Sequence, residues 1–177
     1  MSDKKEIDWA FRFRSICNFC RNYNNSPVLK TGSTESVIIN KRLETIAKHL
    51  HSDLDNVTFD YSFSKGSGTV PKAPWVAINL KGKKVSNSIS FVICFSRTGD
   101  GLVLGLMSPS SYKSIFETVE RTKIDGAILI DHKDLKKYDD RFINPIELKF
   151  DDISIDIINK HKKKSCAELV KKYSKLI

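Results

Sequence analysis

YSFSKGSGTVPKAPWVAINL, Tyr61–Leu80, is the stretch on which the fold class turns. Tyr61 to Ser64 reads as strand, and Val76 to Leu80 reads as strand again. Between them Lys65, Gly66, Ser67 and Gly68 open a flexible basic loop, whose exit Pro71 and Pro74 stiffen. Two strands joined by so short a connection run antiparallel. Trp75 stands at the first residue of the second strand, beside the basic loop. A tryptophan there either closes the core or offers a flat apolar surface for stacking.

Outward from this pair the strand period continues. Val57–Ser64, Trp75–Leu80, Ile89–Phe95 and Leu102–Leu106 are short β-rich runs. The Lys81-Gly-Lys-Lys84 turn with Ser86-Asn-Ser88, and the Arg97-Thr-Gly-Asp-Gly101 turn, separate them. Upstream, Trp9, Phe13, Ile16, Cys17 and Cys20 recur at helical spacing over Ile7–Arg21. Val37–Leu50 predicts a second helix. Downstream, Met107–Ser111 caps a third, Tyr112–Lys123, while Ala127–Ile130 and Phe142–Phe150 suit edge strands. Asp151–His161 carries both periods, because Ile153, Ile155 and Ile157 alternate and Ile158 breaks the alternation. Ser165-Cys-Ala-Glu168 has capping-box spacing and predicts the start of a final helix. The expected fold is α+β, a mainly antiparallel sheet flanked by N-terminal and C-terminal helices. One domain over residues 1–177 is expected, with helices in 7–50, the sheet core in 57–106 and mixed structure in 107–177.

A hydrophobic share of 40% suits a packed core, and no apolar run approaches the roughly 20 residues of a membrane span. The charged N-terminus, MSDKKEIDWAFRFR, has no apolar signal core, so a cytoplasmic location is expected. The net charge of +9 favours a polyanionic partner. Residues 57–106 carry Lys65, Lys72, Lys81, Lys83, Lys84 and Arg97 against Asp60 and Asp100. Residues 159–177 carry seven lysines against Glu168 alone. The spacing of Cys17 and Cys20 is that of a metal or redox pair, but no second such pair completes a zinc site. No metal and no cofactor is expected.

Catalytic signatures are few. The sequence has no phosphate-binding GxxxxGK[ST], no GxSxG and no HExxH. Glu147-Leu-Lys149 with Asp131 upstream is the skeleton of a Mg²⁺ nuclease site, in which carboxylates hold the ion and a lysine helps activate water. The binding reading has more parts. Lys72, Lys81, Lys83, Lys84 and Arg97 suit phosphate contacts, and Trp75 can stack on a base. General binding of nucleic acid, RNA included, and a protein-interaction module with charge for solubility are the other readings.

Phe63-Ser-Lys-Gly66, Pro74-Trp75-Val-Ala-Ile78, Ser86-Asn-Ser-Ile-Ser-Phe-Val-Ile93 and Leu102-Val-Leu104 together resemble the DNA-binding N-terminal domain of McrB-type, modification-dependent restriction systems. Phe142-Ile-Asn-Pro-Ile-Glu-Leu148 is similar to a later strand of that family. The resemblance implies a module that recognises methylated cytosine in duplex DNA by base flipping and is not itself an enzyme. It implies that Lys65, in the Lys65-Gly66-Ser67-Gly68 loop, fills the gap left in the base stack. It further implies a pocket walled by Trp75, Ser90 and Cys94 and closed by Tyr138. Ser90 stands where an aromatic is usual and Cys94 where a larger aliphatic is usual, which makes the expected pocket roomier. The implied partners are modified double-stranded DNA, a GTP-driven AAA+ motor and a nuclease subunit.

Overall fold

Phe59 pairs with Leu80, Trp75 with Cys94, Phe95 with Leu102 and Leu102 with Leu148, and these pairs fix an antiparallel meander. The computed structural model of the chain describes residues 8–24, 26–109, 128 and 141–173. Its strands are β1 Phe59–Phe63, β2 Trp75–Leu80, β3 Ser90–Phe95, β4 Gly101–Met107 and β5 Phe142–Lys149, in spatial order β1-β2-β3-β4-β5. The helices are α1 Trp9–Asn24, α2 Thr34–His51 and α3 Ile155–Glu168. The architecture is α+β, with a five-stranded antiparallel sheet, two helices before it and one after it among the described residues. The third helix expected at Tyr112–Lys123 lies outside the described residues, as does the strand expected at Ala127–Ile130 apart from Ile128.

Period-two alternation divides the sheet into two faces. Val76, Ile78 and Leu80 of β2, Phe91, Ile93 and Phe95 of β3, and Leu102, Leu104 and Leu106 of β4 share one face with Phe59 of β1. That face is buried with Phe13, Ile16, Leu43, Ile46, Leu50 and Ile158 of the helices. Each fully buried Leu, Ile or Phe contributes about 1.5–3 kcal/mol, so this layer dominates stability. Ala77, Val92, Cys94, Val103, Met107 and Phe142 form a smaller apolar cluster on the opposite face. Trp9 stacks on His49 with centroids 3.5 Å apart and joins α1 to α2.

Strand β5 contains Pro145, which has no N–H to donate. Its partner residues step from Leu104–Ile146 to Leu106–Ile143, so one extra residue bulges from β5 there. Asn144 takes φ 47° beside the bulge. A strand interrupted by proline is thus kept as the last strand of the sheet among the described residues.

Ser165-Cys-Ala-Glu168 does not open a helix but forms the end of α3, which starts at Ile155. A short 3₁₀ turn, Phe150–Asp152, precedes it, and a π-helical turn, Leu169–Tyr173, follows. The reason is the buried stripe Ile158, Lys162, Ser165, Cys166 and Leu169, which recurs at helical spacing. A buried lysine in that stripe hid it. Lys162 is 1% exposed and donates to the Leu50 carbonyl at 2.8 Å and to Asp53 at 2.5 Å. No helix among the described residues is long and apolar enough to cross a membrane.

Candidate nucleic-acid interface

Trp75 heads β2, where its N–H donates to the Ser64 hydroxyl at 2.9 Å and its carbonyl accepts from the Ser64 N–H at 2.9 Å. This reciprocal pair closes the loop between β1 and β2. Alternation puts the Trp75 side chain on the face away from the helices, partly exposed, beside the second apolar cluster. There it borders a groove of about 800 Å³ that is also lined by Ser62, Lys65, Asn79, Lys83 and Lys84. Asp60 and Arg141 lie on the same lining.

The loop that carries Lys65 is tied down. Thr69 bridges Lys30 in an isolated antiparallel pair, Thr31 N–H donates to the Gly68 carbonyl, and Val70 N–H donates to the Leu29 carbonyl. The buried Tyr23 hydroxyl donates to the Val70 carbonyl at 3.2 Å and accepts from Leu29 N–H at 3.0 Å. Gly66 has φ 76°, and a Cβ there would run into the Thr69 carbonyl oxygen. Glycine is therefore required at that turn. Lys65 folds its ammonium over the Phe63 ring, 5.2 Å from its centre. The flexible loop expected from Gly66 and Gly68 is thus anchored to the connection between α1 and α2.

The next turn presents the other cations. Lys83 N–H donates to the Leu80 carbonyl at 2.9 Å, and Gly82 takes φ 74°, so β2 reverses tightly. Asn87 Oδ1 accepts from Lys84 N–H, while the Lys84 carbonyl accepts from Asn87 N–H, Ser88 N–H and the Ser88 hydroxyl. Lys83 and Lys84 consequently project from a braced turn. Lys81 pairs with Asp60 at 3.4 Å, which offsets the carboxylate on the groove lining. Lys65, Lys83, Lys84 and Arg141 leave the lining positive, a field that attracts anions and is screened by salt.

The expected site residues divide into three groups. Trp75, Lys65, Lys83 and Lys84 come together on the groove. Ser90 and Cys94 lie on the same sheet face but have no exposed surface; Cys94 sits opposite Trp75 and Ser90 donates to Asn79. They lie beneath the groove instead of lining it. Lys72 and Arg97 converge elsewhere, on Asn24 at the end of α1: Lys72 donates to its carbonyl at 3.1 Å and Arg97 to its side-chain oxygen at 3.1 Å. Tyr138 lies outside the described residues.

Asn79, Ser62 and Arg141 were not expected on this lining. The only signal for Asn79 is a polar residue inside the apolar run Trp75–Leu80, at the same alternation as Trp75. Of the nuclease skeleton, Glu147 and Lys149 fall on β5 opposite Val103 and Gly101, and Asp131 lies outside the described residues. Among the described residues no three His, Cys, Asp or Glu side chains converge to hold a metal ion. Burial pushes the Cys17 thiol up to about 12 and the Cys20 thiol up as well, which holds both protonated. Compared with known proteins, the chain matches no family model and no curated protein sequence.

Proposed function

We propose that the chain is a DNA-binding module that reads modified cytosine in duplex DNA by taking an extruded base into the groove beside Trp75. In this reading it does no chemistry of its own and acts in the cytoplasm as the targeting domain for a motor and a nuclease. The observation that carries the proposal is a partly exposed tryptophan on the sheet, within a groove also lined by Lys65, Lys83, Lys84 and Arg141. Stacking a base on an aromatic contributes about 1–3 kcal/mol, close to what unstacking one base costs. Trp75 then offsets extrusion and the cations supply the net affinity by phosphate contact.

The test is a titration with methylated, hydroxymethylated and unmodified duplexes of one sequence at fixed salt. The expected outcome is tighter binding to a modified duplex and loss of that preference in Trp75→Ala. Equal affinity for all three duplexes would overturn the modified-base reading. It would leave general nucleic-acid binding, which predicts a preference for single strands. The complete burial of Ser90 and Cys94 favours that second reading, because it leaves fewer groups in the groove to distinguish one base from another.

A further inference from the structure

Asn79 is the one side chain on the groove lining whose amide is held on two sides by neighbouring strands. Its Nδ2 donates to the Ser62 hydroxyl of β1 at 2.9 Å, and its Oδ1 accepts from the Ser90 hydroxyl of β3 at 2.9 Å. A side-chain amide carries two N–H donors and two acceptor positions. These two bonds use one of each, so one N–H and one acceptor position are left over. Asn79 is 2% exposed, with Ala77 of its own strand in the apolar cluster and Met107 on the same lining. An oriented amide with unused hydrogen-bonding capacity therefore sits in the floor of a groove, on the same strand and face as Trp75.

The geometry points to Asn79 as the residue that reads the hydrogen-bonding edge of a base stacked at Trp75, with Ser62 and Ser90 as its positioning residues. This rests on the base-extrusion reading of the groove and adds the group that gives it selectivity. An amide that offers one donor and one acceptor matches a base edge on which an exocyclic amine stands beside a ring nitrogen acceptor, as on cytosine and adenine. The two serines hold the plane of the amide in place, and because each hydroxyl can donate or accept, the amide offers its donor and acceptor side by side in whichever order the base edge requires. Ser90 acts through Asn79, which accounts for a hydroxyl that faces the groove side of the sheet and has no exposed surface.

The experiment compares three duplexes of one sequence at fixed salt. They carry at the target position 5-methylcytosine, the 5-methyl-2-pyrimidinone analogue that lacks only the exocyclic amine, or an abasic site. Because the analogue pairs less well and leaves the stack more easily, any wild-type preference for the cytosine arises in the groove. A preference of about tenfold is expected, the size of one good base-edge contact. Asn79→Leu keeps about the same volume, loses the acceptor that takes the exocyclic N–H and is expected to bring the two bases within about threefold, whereas Asn79→Asp keeps an acceptor for that N–H and is expected to retain the preference. Affinities are read relative to the abasic duplex, which cancels changes in backbone contact. Ser90→Ala is expected to reduce the preference, read in the same way, and it carries the test should the leucine variant not fold. Unchanged preference in a folded Asn79→Leu protein, or in Ser90→Ala when the leucine variant does not fold, overturns the role of Asn79 while Trp75→Ala still abolishes it. If Trp75→Ala changes nothing, or the wild type does not separate the three duplexes, the extrusion reading fails and the Asn79 inference fails with it.

Discussion

Gly66 is the residue at which local backbone geometry and the groove meet. Its φ of 76° lies where a side chain is strained, and a Cβ would also press on the Thr69 carbonyl. Gly68 has nearly the same φ, 78°, but nothing stands where its Cβ would be. The left-handed conformation alone costs a non-glycine roughly 1–2 kcal/mol. Gly68→Ala is therefore expected to lose about that much stability and Gly66→Ala clearly more. Urea unfolding midpoints of the two variants check the order; equal losses would mean that the loop relaxes around the Thr69 contact. The glycines were legible in the sequence as a turn, because few other residues adopt positive φ. That the turn is anchored was not legible, since its partners Leu29, Lys30 and Thr31 are far away in the chain and carry no hydrophobic period.

The strands and the first two helices were legible in the sequence, the strands as short β-rich runs between turns and the helices from apolar residues at helical spacing. The last helix could not. Lys162 interrupts its stripe, and a lysine within HKKKS reads as solvated until Leu50 and Asp53 are placed above it. The ion pair is lopsided, with Lys162 1% and Asp53 42% exposed. Removing the lysine thus leaves a carboxylate that water can reach, and the loss falls mainly on the cavity and on the unpaired Leu50 carbonyl. Lys162→Ala is expected to destabilise by about 2–4 kcal/mol, through lost packing and an orphaned acceptor. Lys162→Met keeps the stem and is expected to cost about 1–2 kcal/mol. Chemical denaturation with both variants checks this. If methionine is as damaging as alanine, the charge and not the stem joins α2 to α3.

At the scale of the whole molecule, a net charge of +9 signals a polyanion without saying which cations act together. Folding sorts them. Lys65, Lys83 and Lys84 gather on the groove beside Arg141, which donates to the Ser108 carbonyl at 2.8 Å, whereas Lys72 and Arg97 are engaged by Asn24. Three lysine–phosphate contacts predict a slope of log affinity against log salt of roughly −2 to −3 on duplex DNA. Lys84→Ala is expected to weaken every duplex alike and to flatten that slope by about 1. Lys72→Ala and Arg97→Ala are expected to leave the slope nearly unchanged. Salt titrations of the three variants decide it, and a full unit lost in Lys72→Ala would extend the interface to the end of α1. Trp75 was legible as a candidate, but not its face, since both alternations of WVAINL contain apolar residues. The bridge between Lys30 and Thr69 also bears on how such a chain can diverge. It makes the loop that carries Lys65 one side of a seam between two segments remote in sequence, and a residue inserted on one side alone would slip that seam by a step. Changes of length there must come in matched pairs, so the span of that loop can outlast most of the residues that build it.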